Sequence, residues 1–191
     1  MKKLLISLLV FAGLLTSCDM DKDPIGALNG ENAIQGLNDA SRFRNGIYSG
    51  LRGFTASGFF TYPEIQMEYF QATQLCGNRG LLFAANEIRA NSGETTTFWS
   101  GIYTRIGSIN YFLEKVQPLL DKAREDNDAA SVAQYERFIG EAQFARAYYN
   151  WCMFDRFCPA YSADKAEKEG LGIAIVTKYY PTSDRSTYPG R

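Results

Sequence analysis

The 191-residue sequence contains no histidine. That absence excludes Ser–His and Cys–His nucleophilic sites, histidine acid–base catalysis, and zinc sites with an imidazole ligand. Cysteine is scarce; four residues are too few for a disulfide scaffold. Neither sign of charge dominates, with 20 Lys and Arg against 21 Asp and Glu and a formal net charge of −1. Such a balance gives no electrostatic footprint for nucleic acid. The longest apolar run, residues 4–15, is too short to span a bilayer. What the chain does have is apolar bulk: 46% hydrophobic residues and 14% aromatics, with 13 Phe and 12 Tyr against 2 Trp. That is enough for one domain with large rings in its core. Composition leaves open a hydrolase built on two carboxylates or a binding module, and favours the module.

Met1-Lys2-Lys3 followed by the apolar run reads as a secretory signal. The run ends in Leu15-Thr16-Ser17-Cys18, which resembles the lipobox of bacterial lipoproteins. The resemblance implies that residues 1–17 are removed and that Cys18 carries the acyl chains. Several chains together, at about 0.8 kcal/mol per buried methylene, make an anchor that hardly dissociates. Cleavage would leave 18 basic and 21 acidic residues, a net of −3. Asp19, Asp21, Lys22 and Asp23 follow the anchor. They form a solvated tether repelled by anionic lipid. The stretch also resembles the acidic export signal of surface-exposed lipoproteins in glycan-degrading bacteria. Residues 18–37 are expected to be tether and lead-in loop, and residues 38–191 one helical domain.

Asn38 or Asp39 can cap a first helix whose apolar face is Ala40, Phe43, Ile47, Leu51 and Phe54. Gly46 and Gly50 weaken that helix, and their spacing permits close approach of another. Pro63 marks the expected start of a second helix, with Ile65, Tyr69 and Ala72 facing inward. Periodicity fades over residues 74–97, a stretch long enough to suggest function. A third helix carries the stripe Trp99, Ile102, Tyr103, Ile106, Ile109, Leu113, Val116 and Leu120, and should kink or restart at Pro118. A fourth, 131–157, has one stripe of Tyr135, Phe138, Ile139, Ala142, Ala145, Tyr149 and Cys152. Its second stripe is Phe144, Tyr148, Trp151 and Phe154, so neighbours are expected on both sides. Residues 173–180 are β-branched enough for a short strand.

Two segments make the pattern specific. They are Phe98-Trp99-Ser100-Gly101-Ile102-Tyr103 running to Asn110-Tyr111-Phe112-Leu113, and Glu141-Ala142-Gln143-Phe144-Ala145-Arg146-Ala147-Tyr148-Tyr149. They resemble the W-x-x-I/L-Y…N and E-A-x-F-x-R-A-Y-Y patterns of SusD/RagB-type outer-membrane nutrient-binding lipoproteins. Gly172-Ile173-Ala174-Ile175-Val176 with Pro181-Thr182 is similar to that family's G-I/V-P-I-V…P-T stretch, with Ala174 where proline is usual. The resemblance implies an all-α scaffold of tetratricopeptide-like hairpins, of which this chain resembles an incomplete N-terminal portion. It also implies a cell-surface role at the outer membrane. There the protein would partner a SusC-type TonB-dependent transporter and capture oligosaccharide or peptide. A helical-repeat scaffold for envelope proteins, with no small ligand, is the alternative.

Trp99 and Trp151, in phase with apolar stripes, read as core. Arg137 precedes Glu141 at ion-pair spacing, so Glu141 and Arg146 read as a structural charge network between helices. Cys76, Cys152 and Cys158 remain after Cys18; one pair plus a thiol, or three thiols, fit equally. No paired carboxylates stand out, and no enzyme, metal or cofactor is expected. Within the open loop, Asn78, Arg79, Phe83, Asn86 and Arg89 supply a ring and polar groups of the kind sugars use, and are the candidate ligand-binding residues.

Overall fold

A computed structural model describes residues 33–77, 79–165 and 172–180. Cys18, the acidic stretch after it and the Pro181-Thr182 pair lie outside the described residues. Three long helices dominate: α1 (Leu37–Thr55), α4 (Gly93–Glu125) and α5 (Ala129–Phe157). Two short ones, α2 (Gly58–Gln66) and α3 (Leu81–Ala84), lie between α1 and α4. The expected all-α class is observed. Among the described residues no helix is long and apolar enough to cross a membrane.

The core is an antiparallel hairpin of α4 and α5. Their connector is only three residues long, with Asn127 at φ 56° and the Asp128 carboxylate accepting the Ser131 N–H at 3.1 Å. That cap holds the Asp128 carboxyl below its usual range. Contacts Arg124–Glu136, Asn110–Arg146 and Trp99–Phe157 descend one helix while climbing the other. Between them Ile102, Ile106, Ile109, Phe112 and Val116 bury against Tyr135, Ala142, Ala145, Tyr149 and Met153. The small Ala142 and Ala145 leave room for the large rings opposite, as ridge-into-groove packing requires.

Pro118 does not break α4. Helix runs on to Glu125 because Val116, Leu120 and Ala123 are all buried, and that packing outweighs the missing amide donor. α1 lies across the hairpin, burying Ala40 and Phe54 and stacking Phe43 on Phe112 at 5.5 Å. Gly36, not Asn38 or Asp39, occupies its N-cap, while Asp39 accepts the Gln35 N–H at 3.2 Å. The expected charge network forms around Glu141 but does not include Arg146, which instead donates to Asn110 Oδ1 at 2.8 Å. The Glu141 carboxylate of α5 takes Arg44 of α1 (Nη2–Oε1 2.8 Å) and Arg137 of its own helix (2.9 Å).

Residues 173–180 do not form the expected strand; there is no strand among the described residues. This segment is instead held by side chains of the hairpin. The Tyr103 hydroxyl donates to the Ala174 carbonyl at 3.0 Å. The Asn110 amide donates to the carbonyls of Val176 and Lys178, each at 3.0 Å. The Tyr179 N–H donates to Glu114 at 2.7 Å. From Tyr103 to Glu114 a helix rises about 16 Å, which is also about what five residues of extended chain cover. Helix and strap therefore stay in step, and the strap needs no strand partner.

The second stripe of α5 is uncovered among the described residues. Phe144 is 68% exposed and Trp151 57%, so Trp151 is not core as its period suggested. Phe144, Tyr148 and Trp151 stand in a row with near-parallel rings, 6.5 and 6.1 Å apart. Trp99 is not core either: it is 36% exposed and leans on Tyr103 and Phe157. The double variant Phe144→Gln/Trp151→Gln is expected to bind much less of a hydrophobic reporter dye. Its unfolding midpoint should hold, since exposed substitutions stay within about 0.5 kcal/mol. A clear fall in stability would mean that the ridge is covered in solution.

Candidate functional site

The loop region between α2 and α4 builds a second, smaller group of rings. Ser57 caps α2, its hydroxyl accepting the Phe59 N–H at 3.3 Å, so that helix begins five residues before Pro63. It also ends at Gln66, because Glu68 takes φ 64° and turns the chain away. Tyr69, expected to face inward, is therefore 72% exposed, and Phe70 beside it 56%.

Inside the turn, Tyr62 packs on Phe83 (centroids 4.7 Å) and reaches Phe98 (6.0 Å), and Phe59 meets Phe98 edge-on at 5.5 Å. Two glycines make room for the Tyr62 ring. A Cβ on Gly58 would lie 2.7 Å from it, and one on Gly80 would meet Ile65 at 2.6 Å. Gly80 also stands at φ 78°, which favours glycine directly.

Between α2 and the start of α4 opens a wide cleft of about 390 Å³, lined by Gly58, Tyr62, Gly93, Glu94, Thr97 and Phe98. It combines two aromatic faces with a carboxylate and a hydroxyl. Rings give flat apolar platforms and the polar groups accept or donate hydrogen bonds, which is how sites with few polar anchors orient a ligand. Glu94 is the single carboxylate of this lining, whereas glycoside hydrolysis uses two. The arrangement suits binding.

None of the residues singled out from sequence is among those lining this cleft. Phe83 is buried as the floor beneath Tyr62. Asn86, at φ 54°, accepts from Gln66 Nε2 at 3.3 Å, which ties the loop to the end of α2. Arg79 and Arg89 are exposed, and the Arg89 N–H donates to Ser92 at the N-cap of α4. Asn78 lies outside the described residues. No hydrogen bond or ion pair joins the side chains of Arg79, Asn86 and Arg89 to one another among the described residues. Tyr62, Glu94, Thr97 and Phe98 were not singled out from sequence; the one available signal was that Phe98 opens the tryptophan motif.

Cys152 is a buried free thiol, pushed above its usual range by that burial, and Cys158 is a half-buried one. The side chain of Cys76 lies outside the described residues. Among the described residues no cluster of Cys, Asp and Glu is placed to hold a metal ion.

Comparison with known proteins agrees with this architecture. A family model, SusD-like_3, described as starch-binding associating with outer membrane, matches residues 63–190, more than half of the chain. No curated protein and no solved structure matches it significantly. The matched span takes in the cleft loop, both helices of the hairpin and the strap that Asn110 and Arg146 hold, and the chain belongs to the SusD-like family.

Proposed function

We propose that this protein captures oligosaccharide at the outer membrane as the non-enzymatic subunit of a SusC/SusD-type uptake system. It would be anchored through acylated Cys18, face the cell exterior, and pass its ligand to a SusC-type TonB-dependent transporter. The family match over residues 63–190 carries this reading. The cleft supports it, because Tyr62 and Phe98 offer ring faces for pyranose stacking and Glu94 and Thr97 offer partners for hydroxyls. Asn78, Arg79, Asn86 and Arg89 of the adjoining loop are the further ligand contacts in this reading, with Phe83 as the support of Tyr62. The helical hairpin is then one unit of a tetratricopeptide-like scaffold. Peptide is the second ligand class in view.

The test is binding of the full chain to a panel of soluble polysaccharides and peptides, followed by calorimetry on the best ligand. Glu94→Ala is expected to weaken glycan binding by about five- to tenfold, the loss of one charge-assisted hydrogen bond. Glu94 is half-buried in the first turn of α4, where its charge favours the helix N-terminus, so the variant should lose no more than about 1 kcal/mol of stability. Retention of envelope proteins with no saturable glycan or peptide binding would favour a scaffold instead.

A further inference from the structure

The outer face of α5 has a period of its own. Gly140, Phe144, Ala147, Trp151 and Phe154 recur at spacings of four and three, the seam spacing of paired helices, and all five are exposed. The seam runs about 21 Å along the helix. Its three rings leave about 300 Å² of apolar surface open, the size at which a monomer's patch is often functional.

The seam fits an inverted copy of itself. A two-fold axis at Ala147 sets Phe144, three residues before it, opposite the partner's Trp151, four residues after it. Phe154 then faces the partner's Gly140, each seven residues from the axis. Gly140 costs the helix interior about 1 kcal/mol relative to alanine. Among the described residues nothing lies within 4 Å of where its Cβ would be, so it is a hollow in the seam that a partner's ring can fill. Ala147 is small enough to let two backbones approach at the axis.

Charge selects the same arrangement. Arg137 and Asp155 are 18 residues apart, five whole turns, so they stand on one edge of the seam. In a two-fold antiparallel pair that edge meets its own counterpart, which brings Arg137 to within about one turn of the partner's Asp155, and does so twice. A parallel pair would set like charges together. Both side chains reach into solvent. Arg137 uses only Nε on Glu141, and Asp155 only Oδ2 on Arg156, so the terminal nitrogens and Oδ1 can bridge across.

We propose that this face of α5 is a homotypic docking surface, on which two copies of the chain pair antiparallel about a two-fold axis at Ala147. Two such faces with their charged edges bury about 1,000 Å² in total, the low end for a specific interface, which corresponds to a Kd of about 10–100 µM. Dilute chain therefore leaves the ridge open to dye, and concentrated chain covers it. The pairing does not depend on the function of the α2–α4 cleft.

Sedimentation velocity of the full chain from about 5 to about 500 µM should show monomer passing to dimer. Ala147→Glu sets two carboxylates on the axis and should weaken pairing by at least about tenfold. Its urea midpoint at low concentration should match the parent's, because the site is exposed. Ala147→Lys should behave alike on its own, and a mixture of the two variants should pair again, a rescue that a folding fault would not give. Asp155→Lys should weaken pairing about fivefold. The proposal is overturned if the chain stays monomeric at the highest concentration, if Ala147→Glu pairs like the parent, or if the mixed variants stay apart. A monomer whose fluorescence shifts with a soluble polysaccharide or with lipid vesicles, and no longer does so in Trp151→Phe, would give the face to that occupant and overturn it equally.

Discussion

Asn110→Ala is expected to destabilise the chain by about 2–4 kcal/mol, more than any exposed substitution would. Asn110 is 0% exposed and uses both ends of its amide. Its nitrogen donates to the Val176 and Lys178 carbonyls, and its oxygen accepts Arg146 Nη1 at 2.8 Å. Truncation leaves two carbonyls and a guanidinium short of partners at a half-buried junction. Asn110→Asp keeps the acceptor for Arg146 but sets a carboxylate oxygen against the two carbonyls, so it should cost no less. Urea unfolding measures both variants. Hydrogen exchange adds a local reading: the Tyr179 amide, held by Glu114, should lose protection when the strap is released. An Asn110→Ala chain within about 0.5 kcal/mol of the parent would mean that the strap is incidental.

That node explains why three distant stretches of sequence carry the family resemblance together. Asn110 closes the tryptophan motif, Arg146 sits in the E-A-x-F-x-R-A-Y-Y motif, and Ala174 to Val176 belong to the third stretch. All three meet at one network of side-chain hydrogen bonds. Arg146 reaches the Thr177 carbonyl as well, at 3.4 Å. The motif residues are thus legible as a structural lock between hairpin and strap, whereas the cleft lining draws on Tyr62, Glu94 and Thr97 outside them.

The hairpin was readable because its stripes repeat every three or four residues over about five to six turns. Where reading failed, a longer-range force had overruled a local signal. Pro118 announces a break, yet buried Val116 and Leu120 on either side keep the helix whole. Tyr69 continues the period of α2, but Glu68 at φ 64° ends the helix first, and a glutamate there carries no composition signal. The β-branched run 173–180 signals an extended chain; it does not say whether a strand or a row of side chains will hold it. The cleft was least legible. Tyr62 and Phe98 are 36 residues apart and converge only because Gly58 and Gly80 let the ring of Tyr62 settle over Phe83.

Glu141→Gln is expected to cost about 1–2 kcal/mol at neutral pH, and the cost should vanish in acid. The hydrogen bonds and charge of Arg44, reinforced by Arg137, hold the Glu141 carboxyl at about 2 rather than its usual 4.5. Arg44 is itself pinned between α1 and α5, with its guanidinium 4.6 Å from the Tyr48 ring and 5.6 Å from that of Phe138. A carboxyl whose folded value is depressed adds stability that is complete above its unfolded value. That contribution fades as pH falls from about 4.5 towards 2. The gap between parent and Glu141→Gln should therefore be widest at neutral pH and close over that window, because the amide never titrates. Solvent screening at the exposed Arg137 keeps the figure well below what the displacement alone would give. Urea unfolding at pH 7, 4 and 2 measures the gap, and the double variant with Arg44→Gln isolates the pair from other acid effects. A gap that stays constant down to pH 2, or no coupling between the two substitutions, would show that α1 is held to the hairpin by its apolar face alone.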